Sequence, residues 1–499
     1  MSIKAFGAKL FASYMHLSSQ RWIKNPVRAQ QKTFHQLIRK AQNTKFGADH
    51  DFKNIKSFSD FASRVPVRDY EGLRPYVEAI LRGEKNVLWA EPPIYFAKTS
   101  GTTSGAKYIP ITRVSIREQV RASRNAILNY IHTTGNTSFV DGKMIFLQGS
   151  PELDEKNGIK IGRLSGITAH YVPAYLQKNR LPSWQTNCIE DWETKVDQIV
   201  DETIAQNMTV IAGIPSWVQM YFEKLQAKSG KSIRQLFPNF QVFIYGGVNY
   251  EPYRRKFEDL IGKSVDSIEL FPASEGFFAY QDIPGKQGLL LLLNAGIFYE
   301  FIEADTFYEP DPVRHTLETV IEGINYVMII STNAGLWAYN LGDTVRFVSL
   351  SPFRIVVTGR IKHFISAFGE HVIAKEVETA MQVAQEKTGA RVSEFTVAPM
   401  ITPEDAGLPY HEWFIEFENE PEDLNGFIQI LDRSLQDQNS YYYDLLVGKV
   451  LRPLEITKIR RGGFLEYMKS LGRLGGQNKV QRLANDRSVA EALSIYAEG

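Results

Sequence analysis

The sequence predicts an α/β protein, with a large amino-terminal domain of layered sheets and helices and a smaller α+β domain after it. Three observations predict this. Short apolar strands alternate with helical stretches through the first part of the chain, the pattern of sheets layered with helices. Beyond Gly296 strand follows strand, which reads as a more antiparallel region. After a glycine-bearing stretch at Gly359–Ser366 the pattern restarts with a helix and alternating strands.

The elements follow in order. Met1–Trp22 reads as an amphipathic helix, because Phe6, Leu10, Phe11, Tyr14 and Met15 recur at helical spacing. Lys4 and Lys9 interrupt any apolar core, so the segment is not a secretory signal. A helix packed on the domain is favoured over one on a membrane. Met144–Leu147, Thr209–Ala212, Val242–Tyr245 and Ser267–Leu270 read as strands. Gly213-Ile214-Pro215-Ser216 is a strand-to-helix turn with proline at a tolerated helix start. Leu289–Leu293 is too short to cross a membrane and reads as a buried strand. Ile297–Ile302, Tyr326–Ile330, Thr344–Val348 and Arg354–Val357 continue as strands. The smaller domain, of roughly 130 residues, has an ordinary domain size. It is expected to hold a helix at Ala374–Thr388, strands at Glu394–Ala398 and Glu412–Phe417, a helix near Glu422–Asp437 and a strand at Pro453–Ile459.

The 499 residues are 43% hydrophobic and 23% charged, which is globular and long enough for two or three domains. Fifty-seven basic residues against 56 acidic ones leave a net charge of +1, so no global field draws the chain to nucleic acid or anionic membranes. One cysteine, Cys188, permits no intrachain disulfide and fits a reducing cytoplasm. No flanking residue argues for Cys188 as a nucleophile. There is no metal-cluster spacing and no nucleic-acid module.

The most informative segment is Thr99-Ser100-Gly101-Thr102-Thr103-Ser104-Gly105-Ala106-Lys107, directly after the apolar run Ile94–Ala97. Glycines let backbone N–H groups approach oxygen anions, hydroxyls donate further hydrogen bonds and lysine adds a point charge. Such a loop suits a polyphosphate. It is not a Walker A motif, because three residues separate Gly101 from Gly105, Ala106 precedes the lysine and Tyr108 follows it. Taken alone it also reads as a surface turn.

Four later segments place polar groups at strand ends. Phe271-Pro272-Ala273-Ser274-Glu275-Gly276 offers an aromatic face for a purine and a hard carboxylate for Mg²⁺. Tyr339-Asn340-Leu341-Gly342-Asp343 sets an acid, able to accept both ribose hydroxyls, at a glycine turn. Gly359-Arg360-Ile361-Lys362-His363 brings an arginine to ribose or phosphate, and Gly475-Gly476-Gln477-Asn478-Lys479 carries a late lysine. Each alone has a plain reading: a solvated turn carboxylate, a hairpin, an interdomain loop, a surface lysine.

Their order resembles the adenylate-forming superfamily, which includes acyl-CoA synthetases, peptide-synthetase adenylation domains and firefly luciferase. Within it the chain is most similar to the auxin-responsive Gretchen Hagen family of acyl-acid amido synthetases. The residues that carry this are Ser100-Gly101-Thr102-Thr103 with Gly105, Ala273-Ser274-Glu275-Gly276-Phe277 and Asn294-Ala295-Gly296-Ile297-Phe298-Tyr299-Glu300-Phe301. Leu341-Gly342-Asp343, Gly463-Phe464, Gly476-Gln477-Asn478-Lys479 and, ahead of the loop, Arg68-Asp69-Tyr70-Glu71 with Pro75-Tyr76 add to it. Two departures stand out. Phe271-Pro272 replaces the usual Tyr-Gly, which loses a hydroxyl but keeps an aromatic ring. Lys362-His363 replaces an acidic pair after Gly-Arg.

The resemblance implies ATP-dependent adenylation of a small carboxylic acid, then transfer of the acyl group to an amine, an amino acid, with ATP and Mg²⁺ required. An acyl-CoA ligase and a non-catalytic nucleotide-binding protein are the alternatives. It implies an adenylation domain at 1–358, a hinge at 359–366 with Lys362 at its centre, and a mobile domain at 367–499. Ser100, Gly101, Thr102, Thr103, Ser104, Gly105 and Lys107 would hold phosphates. Gly246 and Gly247 would lie beside the adenine, Ser274 and Glu275 on the phosphate side, and Tyr339, Asp343 and Arg360 by the nucleoside. Glu275, through Mg²⁺, and Lys479 would be catalytic. Arg117, Arg121 and Arg124, at i, i+4 and i+7, are candidates to meet an acidic substrate, although a solvated helix face is the commoner cause of such spacing. His170 and Trp217 are further candidates for the acyl pocket.

Overall fold

The structure, a computed structural model, describes residues 2–99, 107–172, 177–246, 250–361, 364–365, 372–401, 403, 405, 407–447, 450–472, 480–484 and 487–498. The chain divides into two compact units, Met1–Val357 and Thr358–Gly499. No described helix is long and apolar enough to cross a membrane.

The spine of the first unit is an eleven-stranded sheet. Its strands, from one edge, are Ile297–Glu303, Asn325–Thr332, Tyr339–Leu350, Phe353–Arg360, Leu289–Leu291, Gly276–Tyr280, Asp266–Ala273, Val242–Gly246, Met208–Ala212, Lys143–Phe146 and Arg180–Leu181. The last five run parallel. Parallel strands are covered by helices on both faces, so they read as apolar runs without alternation. Met208–Ala212 is buried along its whole length, and helices Trp192–Thr203, Pro215–Ser229 and Glu251–Ile261 fall between the strands. From Asp266–Ala273 onward the sheet turns antiparallel through hairpins.

A second sheet, with no counterpart among the sequence expectations, orders Lys107–Ile111, Tyr95–Thr99, Ile159–Gly162 and Asp154–Lys156. Its strands are too short and too polar to stand out by periodicity; Asp154–Lys156 is exposed throughout. Thr99 pairs with Lys107, so this sheet fixes both ends of the hydroxyl-glycine segment.

Two local expectations are corrected. Gly342-Asp343 does not form a hairpin turn. Both residues lie inside the continuous strand Tyr339–Leu350, at a bulge where Val327 faces Thr344 and Ile329 faces Asn340. Gly342 takes φ +85°, which glycine adopts freely. The first helix, Ile3–Ile23, is present but packs through the other side. It buries Ala5, Ala12, Met15, Ser19 and Trp22 and leaves Phe6, Leu10, Phe11 and Tyr14 exposed.

In the second unit Arg391–Met400 and Tyr410–Asn419 pair antiparallel, and Glu455–Ile459 joins parallel. Alternate residues serve opposite faces. Phe395, Val397, Trp413 and Ile415 pack with helices Ala374–Thr388 and Leu424–Gln438. Ala398 and Phe414 pack with helices Gly463–Ser470 and Ser488–Ser494.

One buried ion pair locks the antiparallel half of the first unit. Glu300 is fully buried in strand Ile297–Glu303, and Arg314 Nε donates to its Oε2 at 2.7 Å. Arg314 Nη1 also donates to the Ala62 and Val65 carbonyls at the end of helix Phe58–Arg64. Burial pushes the Glu300 carboxyl up, and the guanidinium opposes that shift. Arg314→Met strands the carboxylate. It is expected to cost about 3–5 kcal/mol in urea unfolding, and adding Glu300→Gln to it is expected to recover part of that loss.

Candidate active site

Strands Val242–Gly246 and Asp266–Ala273 are parallel, so their carboxyl ends open on one edge of the sheet. Open α/β sheets take ligands at such an edge. Gly246 pairs with Leu270, and a Cβ there would stand 2.5 Å from the Leu270 carbonyl oxygen. Only glycine allows that approach. The chain then turns through Ser274, which is buried, and Glu275, which is half-buried, into strand Gly276–Tyr280.

Tyr339 meets this turn from across the unit, its hydroxyl donating to Glu275 Oε1 at 3.4 Å. Tyr339 is held by the segment that precedes helix Tyr70–Leu81. The Arg68 N–H donates to the Ala338 carbonyl at 3.1 Å, and the Asn340 N–H donates to the Arg68 carbonyl at 2.9 Å. The next residue, Asp69, caps the helix by accepting from the Glu71 and Gly72 N–H groups. Tyr70 then accepts from the Tyr108 N–H at 3.0 Å, and the Lys107 ammonium stands 5.9 Å from the Tyr70 ring centroid. Burial pushes the Tyr70 hydroxyl up, so it stays a neutral phenol.

Arg68, Asp69 and Tyr70 thus tie the strand leaving the hydroxyl-glycine segment to the strand that presents Tyr339. In the sequence these residues carry the family resemblance and no assigned role. The Asp69 capping position was a usable signal; the pairing of Tyr70 with Tyr108 was not. Ala338 contributes strain here, being fully buried with φ +41°, a region non-glycine residues seldom occupy.

The structure therefore brings Gly246, Ser274, Glu275 and Tyr339 to one neighbourhood and joins Lys107 to it through Tyr70 and Arg68. Asp343 is half-buried, four residues along the strand from Tyr339, and the Gly342 N–H beside it donates to Asn340 Oδ1 at 2.8 Å. Arg360 closes the strand Phe353–Arg360. Its side chain lies outside the described residues, as do Ser100, Gly101, Thr102, Thr103, Ser104, Gly105, Gly247, Lys362 and Lys479. The chain on either side of the Lys479 segment is anchored. Helix Gly463–Ser470 precedes it, and beyond it the Val397 N–H donates to the Arg482 carbonyl while the Ala484 N–H donates back to Val397.

Other candidates sort differently. Phe271 is not free to lie on a purine, since it is buried edge-on against Phe278 with ring centroids 5.1 Å apart. Arg121 donates to the Asn294 carbonyl and pairs with Glu118. Arg124 covers the Phe11 ring. Arg117 lines an open cavity of about 650 Å³ with Tyr95, Arg113, Lys160 and Tyr171. His170 Nε2 bonds the Pro151 carbonyl at 2.9 Å, and Trp217 is buried. Burial and the Glu152 carboxylate push the Cys188 thiol up, the wrong direction for a nucleophile. Among the described residues no group of three or more His, Cys, Asp and Glu side chains could hold a metal. Glu275 still fits Mg²⁺, which is held by one or two carboxylates together with substrate phosphates.

The fold is that of the adenylate-forming enzymes. It superposes on a 2-hydroxyisobutyryl-CoA ligase with a TM-score of 0.56 at 14% identity, over 94% of this chain and 90% of that one. On the GH3.15 acyl acid amido synthetase the TM-score is 0.80 at 16% identity, over 98% and 96%. The GH3 family N-terminal domain matches residues 18–188 and 178–265, the central domain 290–360 and the C-terminal domain 375–488. The chain belongs to the GH3 family. A relative from Nicotiana attenuata, the jasmonoyl–L-amino acid synthetase JAR4, is 23% identical over 94% of each chain.

Tyr70→Phe removes the acceptor of the Tyr108 N–H. Urea denaturation is expected to show a loss of about 1 kcal/mol, the cost of an orphaned, partly buried donor.

Proposed function

We propose that this chain is an ATP-dependent acyl-acid amido synthetase: it adenylates a small carboxylic acid and passes the acyl group to an amine, an amino acid. The observation that carries the reading is the match of all three GH3 domains, in order, along one chain.

A carboxylate is a poor acyl donor because oxide is a poor leaving group. In the first half-reaction a carboxylate oxygen attacks the α-phosphorus of ATP, the bond to the β-phosphate breaks and pyrophosphate leaves. In the second the amine attacks the acyl carbon, AMP departs and the nitrogen loses a proton. Ser100–Gly105 and Lys107 hold the β and γ phosphates. Gly246 and Gly247 let backbone lie close to the adenine. Asp343 and Arg360 orient the ribose, and Ser274 the phosphate side. Mg²⁺, when bound at Glu275, offsets the negative charge of the phosphates. Tyr339 orients that carboxylate. The Lys479 ammonium meets charge that develops on the α-phosphate as the carboxylate arrives. Residues 359–366, with Lys362, form the hinge between domains 1–358 and 367–499, and rotation about it withdraws Lys479 before aminolysis. The proposed compartment is the cytoplasm.

ATP–pyrophosphate exchange across a panel of carboxylic acids tests the first step. Lys479→Ala and Glu275→Ala are each expected to lower exchange about 10²–10³-fold. Tyr339→Phe should lower it about tenfold, the worth of one hydrogen bond to a charged group. Exchange left unchanged by Lys479→Ala would remove Lys479 from its role. Mass spectrometry after adding amino acids or CoA to the preformed adenylate identifies the acceptor, and a thioester in place of an amide would overturn the amide step.

A further inference from the structure

The near-zero net charge conceals a segregated distribution. Residues 1–48 contain nine lysines and arginines and no aspartate or glutamate, while the other 451 residues carry 48 basic and 56 acidic side chains. All nine cations are exposed. Among the described residues no carboxylate pairs with Lys4, Lys9, Arg21, Lys24, Arg28, Lys32 or Arg39. The balanced net charge of the whole chain therefore does not describe this segment, which is cationic throughout.

The helix Ile3–Ile23 in this segment has two apolar sides. One packs on helix Arg113–Thr134, with the His16 ring stacked on His132 at 3.9 Å and Arg124 over Phe11. The opposite side carries Ile3, Phe6, Leu10, Tyr14 and Leu17 at helical spacing, each between 53% and 93% exposed. At 1.5 Å per residue this stripe runs for about 21 Å. Scattered exposed apolar residues need no explanation; an aligned row of five large ones does.

We propose that this stripe is a membrane-docking surface: the helix lies in the interface of a bilayer rich in anionic lipid, its apolar row inserted between headgroups and the surrounding lysines and arginines on the lipid charge. Apolar insertion and cationic flanks act together in such helices. The same charge opposes a second copy of this chain as the occupant, because pairing two stripes brings Lys4, Lys9 and Arg21 of one copy against those of the other.

The test is co-sedimentation of the full chain with phosphatidylcholine vesicles, with and without about 30 mol% phosphatidylglycerol, the anionic lipid that cationic flanks recognise. Partition onto anionic vesicles is expected to exceed that onto neutral ones by about tenfold or more, and to weaken as added salt shortens the screening length. Leu10→Asp with Leu17→Asp is expected to abolish it, with circular dichroism confirming an unchanged melt. In Tyr14→Trp, brominated acyl chains should quench emission beyond that of the parent chain, a readout independent of the double variant's folding. Absence of partition onto anionic vesicles, or partition that the folded double variant retains, would overturn the proposal. So would a lipid-free dimer that the double variant dissolves.

Discussion

The first unit depends on one buried stretch of backbone, Asn333–Tyr339, onto which separate parts of the chain are fastened. The Asn333 carbonyl accepts from Thr112, the cap of the helix after the hydroxyl-glycine segment, and the Asn333 N–H donates to the Gly296 carbonyl. Gly335 lets Leu88 come so close that a Cβ would stand 2.8 Å from that side chain, and the Trp337 indole donates to the Leu88 carbonyl. The Ala338 carbonyl accepts from Arg68, and the Tyr339 hydroxyl reaches Glu275. Buried backbone groups must find partners. Here those partners come from distant parts of the chain, so satisfying them also sets the positions of the candidate site's residues.

That arrangement explains the strain at Ala338. Its left-handed backbone lets the carbonyl serve Arg68 while the N–H donates to Ser331 Oγ. The cost is borne in a fully packed interior where the alternative is an orphaned amide. The result is a held pair, Tyr339 and Glu275, with Tyr339 fixed by backbone pairing on both sides. Electrostatic catalysis needs such rigidity, because a carboxylate fixed before the reaction does not have to reorganise during it.

The segment before the candidate site obeys a different logic. The Glu300–Arg314 pair and the helices packed over it are structural, whereas the first helix packs one face and leaves a second, equally apolar one uncovered. A chain with nearly balanced charge overall places nine cations and no acid in its first 48 residues, three of them, Lys4, Lys9 and Arg21, on the helix that carries that uncovered face. Net charge describes long-range behaviour, whereas recognition at a surface depends on local charge.

Residue types and their order along the chain were enough to identify the family, the α/β layering and most strands, because periodicity and glycine-rich turns are local signals. Glu275 and Tyr339 were legible as candidates, as was Gly246 at a strand end. Their convergence was not, since 64 residues separate Tyr339 from its partner Glu275. Phe271 shows the limit: its type suits a ligand face, but its place in the sheet turns it onto Phe278. Likewise the helical spacing of Phe6, Leu10 and Tyr14 revealed an apolar face and could not say which of two faces the fold would cover. Side-chain chemistry is written in the sequence; which side chains meet is decided by strand order, register and the pairing of buried backbone, which only the tertiary structure supplies.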